Sequence, residues 1–348
     1  MNLLHGVGDF FSLDIGTNSM RIVQLSGNSQ RGWTLLRYAY IPIEQKLIQD
    51  ESELGRKRLG EAIMGAVSQA GIKTKNVALG LPAGKTFTSI VETDTLPDKE
   101  LRKSFRYEID KYIPMAASEA KADYIILGPS PNNPAKTEVL VSSVAKEFAE
   151  NTLETIEKTG LNVIAMEPEP LAMARALNIP GAIDATLIVD FGERATDIVI
   201  MYRDQPRLVR TIPGGFEVLI KAVAGGLSVR EDQASQFILK FGLAEDQVEG
   251  QVFRVLNTHL DAFASELTKS VRFFQTKYVN GRVGGIILSG YASTIPLFPE
   301  YIEAKTGVPT MKGNPWQSVR MSPDQQNTLM AVASEFAVAI GLSERSND

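Results

Sequence analysis

The 348-residue sequence contains no cysteine and only two histidines, His5 and His259. The first absence excludes disulfides and thiolate metal centres, and two histidines are too few for a histidine metal cluster. An intracellular compartment is thereby allowed, not required. No apolar run approaches the roughly 20 residues that a membrane-spanning helix needs; candidates such as 285–288 are strand-sized. The start of the chain lacks the basic residues and long apolar middle of a signal peptide. The polar end, 343–348, lacks an amphipathic anchor and reads as a frayed tail. Membrane association is therefore expected only through partners. A basic stripe is also missing: 36 Lys and Arg are mixed with 41 Asp and Glu for a net charge of -5, which argues against nucleic acid as a partner.

What is present is an ordinary globular composition, 44% hydrophobic and 22% charged, in a chain long enough for two domains or one bilobed body. Alternating apolar residues bounded by turn signals predict a three-strand meander over 10–14, 20–26 and 33–41. A helix over 53–70, stopped by Gly71, and a strand over 76–81 follow. Residues 75–165 have their own rhythm: after the strand over 76–81 come strands at 88–92, 122–127, 138–144 and 161–166, with helices at 98–112 and 146–158. That order suits a small inserted α+β unit. A helix from Glu167 through Ala176 leads to a second meander over 185–212, and Gly214-Gly215 opens a helix through Val223. The block 230–278 reads as helical with a break at Gly242. A buried-type strand over 286–290, a helix over 295–305 and a last helix over 323–340, with Leu329, Val332, Phe336 and Ile340 on one face, complete the chain.

The two meanders begin alike. Asp14-Ile15-Gly16-Thr17-Asn18-Ser19 and Asp190-Phe191-Gly192-Glu193-Arg194-Ala195-Thr196-Asp197 each end an apolar strand in Asp-x-Gly and run at once into a second apolar strand. One Asp-x-Gly is a common turn. The pair, in matching contexts, suggests a nucleotide held by two related halves, with hairpin-tip amides and hydroxyls for phosphate and Asp for a metal ion through water. In the second copy Glu193, Arg194 and Ala195 replace the small residues that let phosphate approach, and Glu193 repels phosphate unless a cation compensates.

The order of these features resembles the actin-like ATPase superfamily of actin, sugar kinases, DnaK-type chaperones and FtsA. Three segments carry a likeness within it to the PilM family of type IV pilus assembly: the first hairpin, residues 12–25; Phe105-Arg106-Tyr107-Glu108-Ile109-Asp110-Lys111-Tyr112-Ile113-Pro114 followed by Ala122-Asp123-Tyr124-Ile125-Ile126-Leu127; and Ala337-Val338-Ala339-Ile340-Gly341-Leu342. The resemblance implies an α/β fold, the bilobed actin-like (ribonuclease H-like) arrangement of two related lobes. The first lobe would take 1–74 and 166–184 with helix 323–342 packing back, the insert 75–165, and the second lobe 185–322, its smaller part near 225–280. It also implies an ATP-binding scaffold, cytoplasmic and peripheral to the inner membrane. Such a scaffold would recruit the cytoplasmic N-terminal segment of a PilN-like membrane protein into a groove involving the insert, and connect to the pilus motor. ATP with Mg²⁺ would sit between the lobes and turn over slowly if at all. An FtsA-like filament former with self-association, a small-molecule kinase of the same superfamily, and a binding module that has lost nucleotide are the alternatives.

Carried over residue by residue, the likeness makes Asp14 and Asp190 the metal-approaching and water-orienting carboxylates. Gly16, Thr17, Asn18 and Ser19 become the first phosphate loop, and Gly192, Thr196 and Asp197 the reduced second one. Glu167 is either a weak general base or, with Glu169, a helix-start carboxylate complementing the macrodipole. Gly214 and Gly215 offer helix-start amides to phosphate or ribose, with Glu217 near a ribose hydroxyl, unless they form a plain loop. Glu266 and Lys269 either contact adenosine or pair on a helix surface. Gly290, Tyr291 and Ala292 stand where the family has a small-residue loop beside adenine, so Tyr291 either stacks on the base or blocks it.

Overall fold

The computed structural model describes residues 8–345. His5 and the extreme terminal residues lie outside the described part. The chain divides into two compact units, the first comprising residues up to 126, 138–176 and 314 onward, the second 127–137 and 177–313.

The first unit opens with β1 (Phe11–Ile15), β2 (Ser19–Asn28) and β3 (Gly32–Pro42), followed by α1 (Gln45–Gln49), α2 (Glu53–Gln69) and β4 (Asn76–Leu81). Next come β5 (Thr86–Asp94), α3 (Asp98–Glu108), β6 (Ala120–Pro129), β7 (Lys136–Ala145), α4 (Lys146–Glu157), β8 (Asn162–Pro168) and α5 (Glu169–Leu177). The second unit holds β9 (Ala185–Phe191), β10 (Ala195–Tyr202), β11 (Gln205–Pro213), α6 (Phe216–Leu227), α7 (Glu231–Phe241), α8 (Gln251–Lys277), β12 (Val283–Gly290), α9 (Phe298–Thr306) and β13 (Thr310–Lys312). The chain returns to the first unit with β14 (Val319–Arg320), α10 (Pro323–Leu329) and α11 (Ala337–Ser343).

Both units are built on the same sheet plan. In the first, β1, β2 and β3 form an antiparallel meander, and β4 and β8 extend it in parallel beyond β1, giving the order β14-β3-β2-β1-β4-β8. In the second, β9, β10 and β11 form the meander and β12 and β13 extend it in parallel, in the order β11-β10-β9-β12-β13. The near-continuous apolar runs of the central strands β1 and β9 bury residues on both faces of each sheet. One face of the first carries Phe11, Leu13, Met20 and Ile22 against Ile63 and Val67 of α2, the other Val23, Trp33 and Leu35 against Phe336 and Ile340. The second sheet packs Leu187, Val189 and Ile198 against Leu219 and Val223 of α6 and Leu256 and Leu260 of α8.

Four sequence expectations are revised. Strands β4 and β8, grouped by sequence with the insert 75–165, belong to the six-stranded sheet, because their apolar residues pair in parallel with β1 and with each other. The insert proper is the three-stranded sheet β5-β7-β6, with Val139 and Val141 packed against Phe105 and Ile113. Likewise β14, expected in the second lobe, pairs with β3. The last helix is not continuous: between α10 and α11 the chain tightens into a 3₁₀ stretch, 330–336, with Val332 outside helical geometry. There Phe336 seats its ring near Tyr38, Tyr40 and Trp316. Nor is the whole tail frayed. Ser343 is buried and bonds Ser12 Oγ at 2.8 Å and the Val23 carbonyl at 2.9 Å, and Arg345 reaches Glu167 at 2.6 Å. Among the described residues no helix is long and apolar enough to cross a membrane.

Candidate functional site

The two hairpin tips close with the same turn. The Gly16 amide donates to the Ser19 carbonyl at 3.0 Å, and the Gly192 amide to the Ala195 carbonyl at 3.0 Å. Their strand registers also correspond: Asp14 lies opposite Arg21, and Asp190 opposite Asp197. Directly opposed residues in an antiparallel ladder share a face and interact. The first hairpin thus sets a cation against its Asp, whereas the second sets another carboxylate.

At the first tip, Asp14 is buried and its Oδ2 lies 3.4 Å from Arg21 Nη1. Burial raises the Asp14 pKa, with Arg21 pulling the other way and Glu335 adding to the rise. Arg21 Nη2 is ion-paired to Glu335, and its guanidinium lies 5.8 Å from the Tyr40 ring centroid. Burial alone would lower the Arg21 pKa, but Asp14 and Glu335 together hold it above its ordinary value. The guanidinium occupies the space that a side chain at Gly16 would need, so a larger residue there would have to displace Arg21. Of the other tip residues, Asn18 is exposed, Thr17 is half-buried and Ser19 is buried; the Asn18 carbonyl accepts from the Ile43 amide at 2.9 Å.

At the second tip, the carbonyls of Gly192 and Glu193 accept from the Phe216 and Glu217 amides, each at 2.9 Å, and Gly214 donates to Arg194 at 3.1 Å. These bonds use the donors that a helix N-terminus ordinarily leaves unpaired; the hairpin itself caps α6. Gly215 is needed for this approach, because a Cβ there would run into the Gly192 and Glu193 backbone. Thr196 is buried and donates to the Gly214 carbonyl at 3.0 Å. Glu217 pairs with Lys221 and with Arg194 at 3.5 Å. Asp197 accepts from the Thr211 hydroxyl at 2.6 Å, yet burial pushes its pKa up to about 6. Glu193 Oε2 has no hydrogen-bond partner. Gly290 has φ +62°, and a Cβ there would lie 2.5 Å from Asp190 Oδ1. Tyr291, beside buried Ala292, stacks on Phe216 at 4.1 Å between ring centroids. Glu266 binds Lys269 at 2.6 Å and Arg210 at 3.3 Å, the latter a cross-element partner that local spacing does not reveal.

Glu167 lies at the end of β8, buried, with Arg175 and Arg345 on its two oxygens. Burial would raise its pKa, but the two guanidiniums outweigh that and lower it. A carboxylate held ionised by two cations is a poor proton acceptor near neutral pH, so these contacts favour the structural alternative for Glu167. Arg175 also donates to the Gly341 carbonyl at 2.6 Å, which ties α5 to α11.

Beside Glu167 a groove of about 210 Å³ runs between β6 and β7 of the insert and the start of α5. Leu81, Leu140, Val144, Met166 and Leu171 make it apolar, Ile125 forms an exposed rim, and Glu167 and Arg345 are charged lining residues. Ser143 also lines it; its hydroxyl is buried and without a hydrogen-bond partner. None of the candidate residues singled out in the sequence, apart from Glu167, lies in this groove. The likeness does point to this part of the chain through Asp123-Tyr124-Ile125, a segment of the insert that exposes Ile125.

A meander of three antiparallel strands extended in parallel, repeated in two units with Asp-x-Gly at each first turn, defines an actin-like protein. Solved structures agree with that class. The chain is similar to EutJ, an ethanolamine utilization protein of Carboxydothermus hydrogenoformans, at 14% identity over 97% of this chain and 90% of that one, TM-score 0.56. It is similar to MreB 5 of Spiroplasma citri bound to AMPPNP at 12% identity over 96% and 95%, TM-score 0.52. A PilM-PilN type IV pilus biogenesis complex matches at 22% identity over 97% of this chain and 98% of that chain, TM-score 0.80. The family model for type IV pilus assembly protein PilM matches residues 12–347. The chain belongs to the PilM family of type IV pilus assembly proteins.

Proposed function

We propose that this protein is the actin-like scaffold of a type IV pilus inner-membrane platform, and that it takes the short cytoplasmic N-terminal segment of a PilN-like membrane protein into the groove beside Glu167. The observation that carries this reading is the groove itself: an apolar floor with one buried, unpartnered hydroxyl, Ser143. A buried polar atom without a partner costs about 1–3 kcal/mol, which a main-chain group of an extended peptide would recover. The solved PilM-PilN complex pairs a protein of the same fold with PilN. The protein would lie at the cytoplasmic side of the membrane through that partner and connect onward to the pilus motor.

Nucleotide binding at the paired hairpins is part of the proposal, supported by their shared turn and by the AMPPNP of the MreB 5 structure. A magnesium ion accompanying the nucleotide would find a pair of carboxylates at the second hairpin, where Asp190 faces Asp197. Slow turnover at most is part of the same reading, supported by the commitment of the first α6 amides to the carbonyls of the second tip.

Calorimetric titration with a synthetic peptide of the PilN-like segment tests the groove. Ile125→Arg, which changes an exposed rim residue, is expected to weaken binding by about tenfold or more. Unchanged affinity in that variant would place the partner elsewhere.

A further inference from the structure

Arg21 carries two carboxylates. Asp14 Oδ2 meets its Nη1 at 3.4 Å, Glu335 Oε2 pairs with its Nη2, and Nε has no acceptor. With both carboxylates ionised, this cluster holds one negative charge more than positive, at the tip expected to receive phosphate. A third anion cannot join two carboxylates on one guanidinium without strong repulsion in so buried a setting. It can replace one of them.

The two carboxylates are not equally placed to leave. Asp14 is fixed in the centre of the sheet, with its side chain 4% exposed, whereas the Glu335 side chain is 23% exposed. Glu335 also belongs to the 3₁₀ stretch between α10 and α11, whose backbone departs from helical geometry at Val332. A seven-residue 3₁₀ stretch set between two helices often marks a hinge or a segment under strain.

We propose that Glu335 is a built-in competitor for phosphate at the first hairpin, occupying the Arg21 guanidinium until a polyphosphate displaces it. The inference rests on the reading that this protein binds nucleotide. It makes the 3₁₀ stretch the element that moves on loading. The recognised chemistry is a polyphosphate, either on a nucleoside or free.

Isothermal titration with ATP, ADP, adenosine and inorganic tripolyphosphate tests the proposal in the unmutated protein, Glu335→Gln, Arg21→Gln and Arg21→Lys. Glu335→Gln, which removes the competing charge, is expected to tighten ATP about tenfold, and Arg21→Gln to weaken it by a similar factor. Arg21→Lys should retain part of the affinity, and adenosine should bind all four proteins alike. Tripolyphosphate following the same order would assign the effect to the phosphates alone; tripolyphosphate failing to bind would make the nucleoside necessary to present them, with the order among variants still read from ATP. Hydrogen exchange in residues 330–336 should quicken when ATP is added to the unmutated protein. Equal ATP affinity in Arg21→Gln and the unmutated protein, or weaker ATP binding in Glu335→Gln, would overturn the competition. Absence of any nucleotide binding in all four proteins would instead overturn the reading beneath it.

Discussion

Asp197 lies directly opposite Asp190 across the β9–β10 ladder, at the register where Arg21 lies opposite Asp14 in the first unit. Burial pushes the Asp197 pKa up to about 6, against the opposing pull of the Thr211 hydroxyl. The unfolded value is about 3.9, so the folded state binds this proton more tightly. Its favourable contribution is complete below the unfolded pKa and is lost as pH rises through the folded one. Glu344, raised by burial to about 7, acts in the same sense. Unfolding free energy should therefore fall between about pH 4 and 7 from these two groups. Asp197→Asn should flatten that decline by on the order of 1 kcal/mol, measured by urea denaturation across the range.

Glu167 has the opposite sign. Its pKa is lowered, so the stability it lends is present above the unfolded carboxylate value and is lost as pH falls through the folded one. Glu167→Ala would leave Arg175 and Arg345 without their shared partner, and a loss of about 3–5 kcal/mol is expected. Thermal unfolding measures it. A Glu167→Gln variant with unchanged melting temperature and abolished ATP turnover would return this residue to catalysis.

Gly16→Ala should be destabilising for a reason that the turn alone does not supply. The added methyl meets the Arg21 guanidinium, and overpacking of this kind costs about 1–3 kcal/mol. Combining it with Arg21→Ala removes the collision, so the two changes should be less than additive in a denaturation cycle.

Gly341→Ala should be more severe. α11 crosses α5 so closely that a Cβ at Gly341 would overlap the Ala172 carbonyl. Backbone, unlike a flexible side chain, cannot step aside locally, and a loss of roughly 3 kcal/mol or more is expected. A melting temperature within one degree of the unmutated protein would contradict this packing.

The hairpins were legible because Asp, Gly and alternating apolar residues are local signals, and the repeat of the pattern pointed to two related halves. What decides their chemistry was not local. The charge facing each Asp depends on strand register, which makes the Arg21 and Asp197 positions equivalent although their sequences are unlike. Glu335 and Arg345 reach their partners from positions 314 and 178 residues away, beyond any periodicity. The spacing of Leu329, Val332, Phe336 and Ile340 fits a helix face and concealed the tightening at Val332. A Glu-x-x-Lys pair on α8 was visible, but the Arg210 that joins it came from a strand 56 residues earlier.

The junction of Ser343 with Ser12 and Val23, and of Arg345 with Glu167, bears on how the chain is made. The second unit is nearly continuous in sequence and can close once residue 313 has left the ribosome. The first unit, although its strands are translated earliest, lacks the α11 cover on one face of β1 and β2, and the second of the two guanidiniums on Glu167, until residues 337–345 are synthesised. Vectorial synthesis should thus complete the later unit first, leaving the earlier strands dependent on α11. Truncation after residue 336 would be expected to leave a folded second unit joined to an unfinished first one.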